Sequence, residues 1–281
     1  MCQKGSKNQK NPLTRLRKSA NLGAVRPNTL TRGLAGGALL FWAGWAHAQL
    51  FLNENFDTYA DQAAFQAAWP VSGTASTVLN TEQSVSPSQS AKGLTTATRN
   101  ARSVGEIGFL NGSTDLVIFR FNFYDSAGSA SAYRQYAELD DTAAPSGSGQ
   151  LYAMGLNNNI ASTFYMARIL GGDGGTGASA FFPLNDSGAP SRSTGWHSLE
   201  ADIGDNSVQY YVDGILSKTV NISALTDRSL DTVRLGSNLS ATQVAYFDDI
   251  HVERIAIPEP SALALSLLGG LGLLASRLRR R

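Results

Sequence analysis

Cysteine is all but missing from this chain of 281 residues; the single thiol is Cys2. It lies in a segment that the sequence marks for removal. What remains has no disulfide framework, no thiolate metal site and no thiol nucleophile. Histidine is nearly as scarce, and only His197 and His251 lie beyond the first 48 residues. Two isolated histidines give no pair with metal-ligand spacing and no readable Ser-His-Asp order; His197 reads as a polar residue on a strand. Phosphate loops are missing too. The run GGDGGTG at 171–177 lacks a following Lys-Ser or Lys-Thr and reads as a loop among strands.

Positive charge is scarcer in the middle of the chain than the net charge of +1 suggests. Residues 1–48 carry eight Lys or Arg and no acid, and the last five residues carry four Arg. Of 23 basic residues, 11 remain for the body, against 22 acidic ones, so residues 49–276 sit near −11. Such a body does not suit the phosphate backbone of a nucleic acid. It is compatible with divalent cations, neutral glycans or plain solubility.

The ends have their own composition. Arg32 precedes an apolar run over 33–45, and Ala46-His47-Ala48 comes next as a small-x-small cleavage pattern. This is the layout of a secretory signal peptide over 1–48, with cleavage expected after Ala48. The run is shorter than the ~20 residues that span a bilayer. At the other end, Pro258-Glu259-Pro260 precedes an apolar stretch over 261–276, and Arg277, Arg279, Arg280 and Arg281 close the chain. The apolar stretch predicts a transmembrane helix, with the arginines cytoplasmic and the body on the far side. The two prolines favour an extended segment beside the membrane.

This order of Pro-Glu-Pro, hydrophobic helix and Arg-rich end over 257–281 resembles the PEP-CTERM sorting signal of Gram-negative bacteria. The resemblance implies exosortase as a processing partner. It also implies export through the inner membrane to the cell surface, outer membrane or extracellular matrix, in association with exopolysaccharide and biofilm. It is an address and leaves the function of its cargo open.

The body, 49–256, reads as strands and turns. The stretch 116–124 (LVIFRFNFY) puts Val117, Phe119, Phe121 and Phe123 on one face and Arg120 and Asn122 on the other. Residues 151–156, 164–169, 232–236 and 244–253 are further strand candidates. Residues 196–203 and 208–213 flank Gly204-Asp205-Asn206-Ser207 as a hairpin, and Asp213-Gly214 turns the chain into 215–220. One helix is predicted over 61–69, capped by Asp61, with Phe65 and Trp69 sharing a face. Many short strands at regular spacing predict an all-β sandwich. The stretches GWHSLEADIGDNSVQYYVDG, AYFDDIHVE and ENFDTYADQAAFQAAW resemble concanavalin A-like or laminin-G-like jelly-roll domains. That resemblance implies fold and not function.

Glycoside hydrolases on such a fold need two carboxylates flanking the glycosidic bond. The nearest pattern, Glu200-Ala-Asp202, lacks a third carboxylate and reads as a solvated strand face. A different acid stands out. Alternation over 244–252 places Asp248 on the face of Tyr246, Ile250 and Val252, where an unpaired carboxylate is costly. Glu54, Asn55 and Asp57 would complete a set of hard oxygen donors for Ca²⁺ if the first and last strands are neighbours. The resembled domains often carry a structural Ca²⁺ there. The alternatives are a bulge that turns Asp248 outward, or hydrogen bonds to backbone amides.

The expected function is a non-catalytic exported protein associated with or binding exopolysaccharide, with Tyr133, Tyr136, Tyr152 and Tyr165 as candidate exposed aromatics. The alternatives are a glycan-active enzyme on the same fold and a purely structural envelope protein.

Overall fold

The longest apolar alternation in the chain becomes the centre of the fold. In the computed structural model, residues 47–256 are described except 109–113, 129–133, 144–148, 158, 171–180, 226–228 and 242. All of them belong to the unit Gly44–Arg281. The sorting motif Pro258, Glu259, Pro260 and the apolar stretch 261–276 lie outside the described residues. Among the described residues, no helix is long and apolar enough to cross a membrane.

Among the described residues, fourteen strands and one helix run in the order β1 (His47–Glu54), α1 (Gln62–Ala68), β2 (Val78–Asn80), β3 (Ser90–Gly93), β4 (Asn100–Ser103), β5 (Leu116–Asp125), β6 (Arg134–Asp140), β7 (Leu151–Asn157), β8 (Met166–Leu170), β9 (Phe181–Pro183), β10 (Gly195–Ile203), β11 (Ser207–Val212), β12 (Ile215–Asn221), β13 (Thr232–Leu235) and β14 (Ala245–Ala256). The larger sheet runs β12-β11-β10-β5-β14-β3-β2, with β1 also on β14. The smaller runs β4-β13-β6-β7-β8-β9. All named strand pairs are antiparallel. The fold is a jelly-roll β-sandwich with one short helix near its start.

The core is built outward from β5. Val117, Phe119, Phe121 and Phe123 are buried, and Arg120 and Asn122 face outward. Phe247 packs on Phe121 and Phe123 with ring centroids 6.1 and 5.5 Å away. Ala137, Leu139, Tyr152, Met154 and Leu156 of the smaller sheet close the same core. Each buried Phe contributes roughly 1.5–3 kcal/mol, which is how a domain without cystine holds its two layers together.

The helix keeps its expected signals. The Asp61 carboxylate accepts the Ala64 amide at 2.8 Å. Phe65 and Trp69 are fully buried beside Phe56. The Asp213-Gly214 turn has φ of 51° and 74°, the left-handed pair that a tight hairpin requires.

On β14 the expected alternation breaks. Its first residues, Ala245–Phe247, pair with β3, and its later ones pair with β1. The register shifts between Asp248 and His251, and Asp249 has φ of 48°. This bulge adds a residue and reverses the facing of the strand beyond it. Phe247, Ile250 and Val252 therefore point into the core, and Tyr246 lies on the outer face against Tyr124. The expectation that Tyr246, Asp248, Ile250 and Val252 share one apolar face is corrected by that extra residue.

Candidate functional site

Asp248 and Asp57 carry out a structural task where β14 changes partner. Asp248 Oδ2 accepts the amides of Val85 and Ser86 at 2.8 and 3.1 Å, and Oδ1 accepts the Asp249 amide and the Ser86 hydroxyl. Asp57 Oδ1 accepts the amides of Ser88 and Gln89 at 3.1 and 2.9 Å. Both carboxylates pin the loop between β2 and β3. Burial pushes the Asp248 carboxyl up, against the opposing pull of these amides. Glu54 is tied elsewhere. It accepts the Phe56 amide at 2.8 Å, the Tyr59 hydroxyl at 2.6 Å and the Trp69 indole at 3.3 Å, and it pairs with Arg102. The Tyr59 phenol is pushed up to about 12 by burial and by Glu54.

Calcium fits this donor set poorly. Donor hydrogens, not empty lone pairs, face the oxygens of Glu54, Asp57 and Asp248. Among the described residues no group of three His, Cys, Asp or Glu is arranged to hold a metal ion. Ala48 lies exposed in β1, opposite Ile255.

The expected aromatics are also placed differently. Tyr136, Tyr152 and Tyr165 are at most 3% exposed, so none offers a free ring, and Tyr133 lies outside the described residues. Aromatic side chains of a sandwich can face the core as readily as solvent, and their spacing alone does not say which.

The outer face of the larger sheet holds what the sequence did not single out. Cross-strand register aligns Trp196 of β10 with Tyr124 of β5, and Tyr124 with Tyr246 of β14. Their rings meet edge to face at 5.4 and 5.6 Å. The Lys92 ammonium stands 5.4 Å from the Tyr246 ring and 2.6 Å from Glu82. Trp196 and Tyr124 are half-buried.

Two and four residues along the same strands, the ladder gives way to a polar pocket of about 420 Å³. Ser198 and Glu200 of β10, Arg120 and Asn122 of β5, Asp249 and His251 of β14 and Asn53 of β1 line it. The Asn122 amide donates to Asp249 at 2.9 Å, and Arg120 stands 3.9 Å from Glu200. The bulge that inverts β14 is what brings Asp249 here. Asp202 lies beyond Glu200 on the same face with one buried oxygen unpartnered, and its carboxyl is pushed up to about 6 by burial and by Glu200. This face is less solvated than its polar alternation suggested.

A second constellation was not legible in the sequence. His197 Nδ1 is 2.8 Å from Asp213, and Nε2 is 3.1 Å from the Ser193 hydroxyl. The spacing is that of an acyl-transfer triad. However, Nε2 also lies 3.0 Å from the Ser193 carbonyl oxygen, which can only accept. A neutral ring that gives its Nδ1–H to Asp213 turns its Nε2 lone pair toward the Ser193 hydroxyl, and only a doubly protonated ring donates to both Asp213 and the Ser193 carbonyl. The trio ties the approach to β10 onto the β11–β12 turn, where Asp213 also accepts the Ser198 amide.

No family model matches the chain. No curated protein matches it. Among solved structures, it is similar to the "Cellulose induced protein, Cip1", at 16% identity over 72% of this chain and 96% of that one, with a TM-score of 0.44. The carbohydrate esterase vb_24B_21 from Shiga toxin-encoding bacteriophage phi24B matches at 15% identity over 74% and 99%, with a TM-score of 0.47. The binding domain of Paraclostridial Mosquitocidal Protein 1 matches at 10% identity over 74% and 49%, with a TM-score of 0.47. At these identities no ligand or activity passes from one chain to another.

Proposed function

We propose that this chain is an exported, non-catalytic protein whose jelly-roll domain binds extracellular polysaccharide along the outer face of its larger sheet. One observation carries the reading: the half-buried rings of Trp196 and Tyr124, backed by the buried Tyr246, run directly into the pocket of Arg120, Asn122, Glu200 and His251. Sugars present apolar C–H faces and hydroxyl edges. An aromatic strip beside fixed donors and acceptors suits both. Glu200 and Asp202 share one strand face but lack the third carboxylate of the one-strand hydrolase pattern. That arrangement favours recognition over the paired-carboxylate hydrolysis of glycosides.

The export half of the proposal rests on the ends. Cleavage after Ala48 and processing near Pro258-Glu259-Pro260 by an exosortase would deliver the domain to the surface or matrix of a Gram-negative cell. The apolar stretch 261–276 would be its membrane anchor before processing. Mass spectrometry of the surface-extracted protein tests this, and a species that retains Arg277–Arg281 in cells with the sorting enzyme would overturn it. A glycan array probed with the full-length protein tests the binding half. Binding to no polysaccharide would leave a structural envelope role.

A further inference from the structure

The smaller sheet has an outer face of the opposite character. The body holds few cations, yet three of its arginines gather there. Register aligns Arg234 of β13, Glu138 of β6, Ala153 of β7 and Arg168 of β8 across four neighbouring strands. Arg99, just before β4, reaches the same place. Glu138 Oε2 is 3.8 Å from Arg99 and 3.8 Å from Arg234, beyond hydrogen-bond length. Arg234 also pairs with Asp140. The Arg168 guanidinium lies 4.6 Å over the Phe181 ring.

Beyond the Arg234–Asp140 pair, these groups satisfy one another only in part. Glu138 is 2% exposed and its Oε2 has no hydrogen-bond partner. The Nε atoms of Arg99, Arg168 and Arg234 are buried and unpartnered as well. Unmet buried polar groups are costly, and native structures keep few of them without a use. Ala153, between Glu138 and Arg168, is fully buried in an apolar cluster with Tyr136, Leu151 and Met166, so a ligand meets the cluster from the side of Arg99 and Arg234. The Arg99 and Arg234 side chains remain 24% and 20% exposed, so an incoming group can reach them.

We propose that this cluster is a second ligand site, which takes the carboxylate of an acidic sugar. Guanidinium forks match a carboxylate in pairs, and Arg168 on Phe181 offers a stacked wall for the ring that bears it. Because three cations face Glu138 and Asp140, a bound carboxylate leaves the cluster near neutrality. The site is separate from the pocket of the larger sheet, so either can fail without the other.

Calorimetric titration of the full-length protein with oligogalacturonate, and with its methyl ester of equal length, tests the proposal. The acid should bind roughly tenfold or more tightly than the ester, the worth of one charge-assisted pair. Arg168→Gln should remove the difference and leave any binding of neutral glycans unchanged. Arg168→Lys, which keeps the charge without the fork, should restore only part of it. Circular dichroism confirms that each variant is folded. Sodium sulfate should compete with the acid more strongly than sodium chloride at equal ionic strength. Equal binding of acid and ester, or an acid preference untouched by Arg168→Gln, would overturn the site. Sulfate binding without oligogalacturonate binding would overturn the sugar as its ligand.

Discussion

Arg192 and Asp125 form an ion pair with both side chains fully buried, Nε to Oδ2 at 2.9 Å and Nη2 to Oδ1 at 3.3 Å. Asp125 ends β5, and its Oδ1 also accepts the amides of Ala127 and Gly128. Arg192 Nη1 donates to the Ser162 carbonyl at 3.1 Å. The pair thus fastens two loops to the end of the central strand. Arg192→Leu strands a carboxylate without its partner and should cost about 3–5 kcal/mol in denaturant unfolding. A loss below about 1 kcal/mol would mean that water reaches Asp125 and the pair is not sealed.

Asp202 sets a pH dependence. Its carboxyl rises from 3.8 to about 6 on folding. The folded state therefore holds this proton more tightly than the unfolded state. Stability from this group is full below 3.8 and is lost as pH climbs through about 6. Asp202→Asn should match the parent at acid pH and exceed it by about 1 kcal/mol above neutrality, a figure discounted for its half-open position. Melting curves of both proteins across that range measure it. Parallel curves at every pH would remove the cause assigned to the shift.

Asp248 separates a cation from hydrogen bonds. With its oxygens taken by Val85, Ser86 and Asp249, the melting temperature should be the same in calcium, magnesium and chelator. Asp248→Ala should still destabilise, by about 1–3 kcal/mol, since the part-buried amides of Val85, Ser86 and Asp249 lose their acceptor. A rise in melting temperature specific to calcium, absent in Asp248→Ala, would restore the metal reading.

Trp196 tests the aromatic strip. Trp196→Ala should weaken polysaccharide binding about tenfold, near 1.4 kcal/mol, with little change in unfolding because the ring is only half-buried. Unchanged binding by the folded variant would move the ligand away from this face.

What the sequence disclosed was local. Strict alternation in 116–124, the Asp61 cap and the Asp213-Gly214 turn each act over a few residues, and each has its counterpart in the structure. The alternation over 244–252 misleads because a bulge leaves no mark in the residues. It arises where β14 exchanges β3 for β1, which is a property of the sheet. Short strands such as β2, β4 and β9 are illegible for a similar reason: three or four residues carry no period of their own.

By itself, then, the sequence determined the two-layer β domain and the acidic charge of its body. These depend on composition and on periods of two residues, which neighbours along the chain define. Only the tertiary structure decided which polar groups meet. It set Trp196 beside Tyr124, Ser193 beside His197, and Arg234 across from Glu138 and Arg168. Cross-strand register joins residues far apart in the chain, and one inserted residue in β14 reassigns every face beyond it.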